Sequence, residues 1–247
     1  MPLKPPELSE LPEPLKSLKW LKSPESPESP ESGAGRAQAP VAATILAAGL
    51  GRRLGGRPKA ALRIGGVSLL ERLAGALRGA GVEEISVVIG PYEDVLRPLA
   101  SACGAQVLAH GRDETLLRES QRLAVQAHLA QRPGCDMLLV LADLPLLNAA
   151  DIRLLLGAWQ RRPAAIEALR PVVEGVQGHP LLLSYQAVQQ VVALPAALGI
   201  RDWLNQQPGL LQSLVCQQRA FITDLDTPQD LAALQSQLLP LPVDWPA

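Results

Sequence analysis

A chain of 247 residues is long enough for one sizeable domain with a tail. Its net charge of −1 and pI near 6.3 provide no basic field for nucleic acid. No apolar run reaches the roughly 20 residues of a membrane span, and the N-terminus lacks a signal-peptide core. Cys103, Cys135 and Cys216 lie far apart with no C-x-x-C pair, which argues against a zinc site and fits a reducing, cytoplasmic setting.

Residues 1–40 are unlike the rest. Residues 23–32 read SPESPESPES, and nine of the chain's 23 prolines fall in this prefix. Such a stretch buries too little apolar surface to offset its chain entropy, so a disordered, extended tail is expected. Leu15, Leu18 and Leu21 with Lys16, Lys19 and Lys22 could instead form a turn or two of basic amphipathic helix for docking a protein partner.

The globular part begins with Ala42–Ala48, a short apolar run suited to a buried parallel strand. Gly49, Gly51, Gly55 and Gly56 follow, then Pro58 and Lys59. Glycines let backbone N–H groups approach and cradle phosphate oxygens, and Arg52, Arg53 and Arg57 add charge for a polyanion. Lys59 is the only lysine after Lys22. Arginine grips planar anions with a rigid fork, whereas lysine delivers a movable point charge, which suits a phosphate chain that shifts during reaction. A solvated surface loop with one lysine kept by chance is the plainer reading. A Walker A loop fails, because Lys59 follows Pro58 and precedes Ala60. A dinucleotide fingerprint is weak, because Pro58 interrupts before any helix and the acid at the expected distance, Glu71, falls inside a predicted helix.

Beyond the loop the pattern predicts strands at Ile85–Gly90, Gln106–His110 and Met137–Ala142, and helices at Ser68–Ala80, Tyr92–Ala102 and Glu114–Ala130. A helix at Ala149–Gln160 comes next, then a strand near Ile166–Arg170 and an apolar run at Pro180–Ser184. Shorter helices, a strand pair near Leu214–Thr223 and a helix from Pro228 to about Leu238 complete the domain. The alternation predicts an α/β fold with a mostly parallel sheet and helices on both faces. The expected division is a tail at 1–40, a domain at 41–238 and a proline-broken C-terminal tail at 239–247. In open α/β sheets ligands sit outside the carboxyl ends of the strands, where the Gly49–Lys59 loop emerges.

Two groups of carboxylates stand out. Asp143 closes an apolar strand just before Pro145, where it could hold a metal at the sheet crevice or serve a turn or helix cap. Asn148 is better placed to cap the next helix. In residues 223–230, TDLDTPQD, Thr227, Pro228 and Asp230 read as a helix start, leaving Asp224 and Asp226 for one face of a strand. Mg²⁺ in phosphoryl chemistry takes one or two carboxylates plus substrate oxygens, and Asp143 and Asp226 could converge as that pair.

L-A-A-G-x-G-x-R-x-G with Pro-Lys shortly after, here Leu46 to Lys59, resembles the signature of molybdenum-cofactor nucleotidyltransferases, the MobA/MocA-like group. The resemblance implies the nucleotide-diphospho-sugar-transferase-like, Rossmann-like fold. It assigns nucleotide contacts to Leu46, Ala47, Ala48, Gly49, Gly51, Arg53 and Lys59, with Arg53, Lys59 and Asp143 in catalysis. It also implies Mg²⁺ on Asp143 and Asp226, and an acceptor contact at His179, from Gly178-His179-Pro180. By itself a lone His before Pro reads as a turn residue. Gly178-His179-Pro180 resembles a segment of the MocA-like branch, and Gly199, Arg201 and Leu204 echo a further segment of it. The serine-rich base-recognition segment of the group has no match in HGRDETLLRES, residues 110–120, so the base stays open between CTP and GTP. The activity implied is transfer of a nucleoside monophosphate to a phosphorylated acceptor, molybdopterin foremost. A sugar-1-phosphate or other small-phosphate nucleotidyltransferase and a non-catalytic nucleotide- or partner-binding protein are the alternatives.

Overall fold

The strands whose residues are nearly all buried are those walled in on both sides. In the computed structural model, which describes residues 39–112 and 116–246, β1 (Val41–Ala47), β4 (Ile85–Ile89) and β6 (Asp136–Leu141) are central. β5 (Gln106–Ala109) and β10 (Leu211–Cys216), which mix in polar residues, form the edges. Between them lie β7 (Ala168–Val173) and β9 (Leu181–Leu183), giving the order β10-β7-β9-β6-β1-β4-β5, with the short β8 (Val176–Gln177) paired to β7. β1 runs parallel to β4 and β6, and β4 to β5. β9 is antiparallel to both β6 and β7, while β10 is parallel to β7, so one reversed strand interrupts a parallel sheet.

Side-chain alternation sorts the core into two layers. Ala43, Ile45 and Ala47 of β1 and Leu138 and Val140 of β6 pack beneath α1 (Leu69–Gly79), α2 (Glu93–Ala102) and α4 (Ala149–Gln160). Leu46, Met137 and Leu139 face α3 (Leu117–Gln131), α5 (Tyr185–Ala193) and α6 (Ile200–Gln206) on the other side. The expected α/β sheet with helices on both faces is what the chain forms. Ser68 caps α1 reciprocally with Glu71, so the acid a dinucleotide fingerprint would need is spent as a helix cap.

Three expectations are corrected. Leu214–Thr223 is not a strand pair: β10 is followed by a single 3-10 turn at Arg219–Phe221, which buries Phe221. Asp224 and Asp226 lie in irregular backbone rather than in a strand. The C-terminal stretch is not a loose tail, because β11 (Val243–Asp244) pairs with β2 (Arg63–Ile64), itself paired with β3 (Val67–Ser68). Val243 joins Leu54, Leu62, Ile64, Leu69, Leu225 and Leu234 in a third apolar cluster, the last from α7 (Pro228–Gln237). Prolines at 240, 242 and 246 suggested a tail, yet a two-residue strand needs few N–H donors and Val243 supplies the anchor. The predicted prefix and docking helix, from residue 1 to 38, lie outside the described residues, as does Glu114, the expected first residue of α3. Among the described residues no helix is long and apolar enough to cross a membrane.

Candidate active site

β1 and β6 end side by side, and the chain leaving each supplies one wall of a cavity of about 300 Å³ at the carboxyl edge of the sheet. From β1 come Leu46, Ala47, Ala48 and Gly49; from beyond β6 come Ala142 and Asp143; Lys59 and Ala60 close the loop side. Asp224 and Asp226 complete it. The Leu225 N–H donates to the Asp143 carbonyl at 3.0 Å and the Leu225 side chain is buried in the third cluster. Its two neighbours are thereby turned together toward the cavity, as alternation predicted, although no strand carries them.

Lys59 is the centre of the charge arrangement. Its Nζ lies 2.9 Å from Asp143 Oδ2 and also donates to Asp226 Oδ1. Burial works against its charge, but Asp143 and Asp226 outweigh that and hold the ammonium pKa above the ordinary lysine value. Arg53, in the 3-10 turn Arg52–Leu54, reaches to 3.8 Å of Asp226 Oδ2 while its side chain remains 73% exposed. Asp143 Oδ1 is buried with no partner. Asp224, which the sequence left without a role, has its carboxyl pKa raised by burial and by the neighbouring carboxylates of Asp226 and Asp143, against a backbone hydrogen bond. The D-x-D spacing was its only signal.

Capping does not account for the two acids. Asn148 Oδ1 accepts from Ala150 and Asp151 to cap α4, and Thr227 with Asp230 forms the capping box of α7. Asp143 and Asp226 are left facing Lys59. Gly51 makes the loop's turn with φ of 57°, and a Cβ there would stand 2.0 Å from the Arg57 carbonyl oxygen, so only glycine fits.

His179 belongs to a second cavity of about 650 Å³ that shares Leu117 with the first. Gly178 lies so close to Phe221 that a Cβ would come 2.5 Å from its carbonyl oxygen, and the His179 N–H donates to that oxygen at 2.9 Å. This contact fixes His179 at the cavity wall, beside Arg118, Arg170 and Arg201. His179 Nδ1 and Arg170 Nε are buried without partners. Burial lowers the His179 pKa, with Asp143 opposing and Arg170 reinforcing, which favours the uncharged ring. The three arginines were not legible as a group in the sequence.

Among the described residues no set of three or more His, Cys, Asp or Glu side chains closes a metal cage. Two carboxylates, one with an unpartnered buried oxygen, nevertheless fit a Mg²⁺ that completes its shell with water and phosphate.

Residues 43–210 match the family model described as the MobA-like NTP transferase domain. Phosphoenolpyruvate guanylyltransferase of Rubrobacter xylanophilus is 30% identical over 171 residues, 68% of this chain and 78% of that protein. Nicotine blue oxidoreductase of Paenarthrobacter nicotinovorans is 29% identical over 78% of this chain and 96% of its own. The match to bifunctional protein GlmU of Syntrophomonas wolfei, 27% identical over 59% of this chain, spans 32% of that protein. Among solved structures, Rv0371c of Mycobacterium tuberculosis superposes with a TM-score of 0.66 at 21% identity, over 81% of this chain and all of that one.

Proposed function

The chain belongs to the MobA-like NTP transferase domain family, a family of nucleotidyltransferases, and on that premise we propose that it transfers a nucleoside monophosphate from CTP or GTP to the phosphate of molybdopterin in the molybdenum cofactor. The observation that carries the reading is Lys59 held between Asp143 and Asp226 at the mouth of a glycine-rich loop, on the carboxyl edge of a parallel sheet. An acceptor phosphate oxygen attacks the α-phosphorus, the bond from that phosphorus to the bridging oxygen breaks, and pyrophosphate leaves with the electron pair. The nucleophile is already anionic, so no general base is needed.

In this reading the protein positions the reactants and neutralises charge on the leaving group. Backbone N–H groups from Ala48 to Gly51 and the side chains of Arg53 and Lys59 hold the triphosphate. Lys59 reaches it by exchanging a carboxylate for a phosphate oxygen, a movement that a single flexible ammonium allows. Asp143 and Asp226 would hold Mg²⁺, which when bound would neutralise phosphate charge.

The acceptor occupies the larger cavity, where Arg118, Arg170 and Arg201 suit an anion and the neutral His179 offers a hydrogen bond to a polar ring. A volume of about 650 Å³ suits a pterin-sized molecule. A second reading, a small phosphorylated carboxylate such as phosphoenolpyruvate, is supported by the guanylyltransferase relative and by the same arginines.

The test is a screen of the four NTPs with Mg²⁺ and either molybdopterin cofactor, phosphoenolpyruvate or a sugar 1-phosphate, following pyrophosphate. Release with CTP or GTP only in the presence of molybdopterin cofactor is expected. Release with phosphoenolpyruvate alone would replace the first reading by the second, and none with any combination would overturn both.

A further inference from the structure

Two aromatic side chains from distant parts of the chain hold the loop from Gly49 to Lys59, and both do so through its carbonyl oxygens. Tyr92, just before α2, places its hydroxyl 2.7 Å from the Leu50 oxygen and 2.6 Å from the Gly56 oxygen, so its one proton serves both. Trp245, just past β11, donates its indole N–H to the Pro58 oxygen at 3.2 Å. The Arg57 guanidinium stacks on the Trp245 ring, 5.4 Å from its centroid. The segment carrying Trp245 is itself fixed: Gly65 donates to the Pro242 oxygen at 2.8 Å, the Gln235 side chain to the Val243 oxygen at 2.9 Å, and Val243 is buried.

Pinning a carbonyl also aims the next amide. In a planar trans peptide the C=O of one residue and the N–H of the next point in opposite directions. Holding the Leu50, Gly56 and Pro58 oxygens toward Tyr92 and Trp245, the last shared with the Ala61 N–H at 3.0 Å, therefore turns the N–H groups of Gly51, Arg57 and Lys59 away from them. Among the described residues none of these three N–H groups donates to a backbone oxygen in the turns and loops. Three donors aimed alike beside Lys59 make a cradle for phosphate oxygens.

We propose that Tyr92 and Trp245 are positioning residues that preset this loop for a nucleoside triphosphate, making the C-terminal strand part of the nucleotide site. The proposal rests on the nucleotide reading of the loop. A loop already shaped loses less freedom on binding, so the benefit appears in nucleotide affinity rather than in acceptor affinity.

Tyr92→Phe keeps the ring and removes only the donor, whereas Trp245→Phe removes the indole N–H and shrinks the aromatic face on which Arg57 stacks. Titration of the full-length chain with CTP and with GTP, by calorimetry and by tryptophan emission, tests the idea without requiring turnover. Each variant is expected to bind the preferred nucleotide roughly three- to tenfold more weakly, the size of one lost hydrogen bond. The Michaelis constant for the acceptor stays unchanged, and the nucleotide-induced change in emission disappears in Trp245→Phe. Wild-type chain that binds neither nucleotide would defeat the underlying nucleotide reading. Wild-type binding with equal affinity in both variants would overturn the positioning proposal alone, and a lower melting temperature with unchanged affinity would do the same by showing a purely structural role.

Discussion

The two cavities that meet at Leu117 are built in opposite ways. In the smaller one the cations are answered within the protein, Lys59 lying between Asp143 and Asp226 with Arg53 behind, and among its described residues Asp143 Oδ1 is the one buried side-chain oxygen left without a partner. In the larger one three arginines line the wall, and the buried Nδ1 of His179 and Nε of Arg170 have no partner. A site that must take in both a polyanion and its cation can keep its own charges compensated until the substrate exchanges them. A site that must recognise one particular molecule leaves its polar groups unmatched for that molecule to complete. On the proposed reading the first arrangement serves the shared chemistry and the second the selectivity.

The sharpest way to break this contrast is to remove the compensated carboxylates. Asp143→Ala or Asp226→Ala is expected to cut turnover by roughly 10³-fold or more, and the double variant to be little worse than either. Purified variants followed by pyrophosphate release give the answer, and multiplicative losses would mean that the two acids do not act together.

Lys59→Ala is expected to cost about 10²–10³ in turnover, with Lys59→Arg a poor rescue because a fork replaces a point charge. Removing the shared cation also leaves two carboxylates facing each other. The melting temperature of Lys59→Ala is therefore expected to drop without Mg²⁺ and to recover with it by more than the wild-type value rises. An equal Mg²⁺ response in both proteins would show that Lys59 does not share the metal's ligands.

In the larger cavity, Arg170→Gln and His179→Gln are each expected to raise the acceptor Michaelis constant roughly tenfold, leaving that for the nucleotide alone. Initial-rate kinetics with each substrate varied in turn separates the two cavities; a shift in the nucleotide constant would merge them.

The smallest effect expected is on stability in mild acid. Burial lowers the pKa of His110, His128 and His179 from the ordinary 6.5. Just below that value the unfolded chain binds more protons than the folded one. Stability present above 6.5 is therefore lost as pH falls through the three folded-state values. Melting curves from about pH 7 to about pH 5 are expected to slope downward. His179→Gln is expected to flatten part of that slope, and an unchanged slope would place the titration elsewhere.

The same contrast governs what could be read from the residues. The loop from Gly49 to Lys59 is one contiguous segment and was legible. Asp143 was legible because an apolar strand ends beside it, and Asp226 because Thr227 and Asp230 already explained the helix start. Arg118, Arg170 and Arg201 stand on α3, β7 and α6 and meet only through the strand order and the reversed β9, which local pattern does not encode. Tyr92 and Trp245 are lone aromatics whose hydrogen bonds go to backbone oxygens of a distant loop, so no side-chain spacing announces them. The strand β11 was missed because prolines around it outweighed one buried valine.

The central claim is transfer of the α-phosphoryl group with its nucleoside, and isotope position tests it most directly. The chain is incubated with Mg²⁺, acceptor and the preferred NTP labelled at either the α- or the γ-phosphorus, and the products are separated. The α-label is expected on the acceptor and the γ-label in pyrophosphate. Gamma-label on the acceptor, or label released as inorganic phosphate, would contradict the claim.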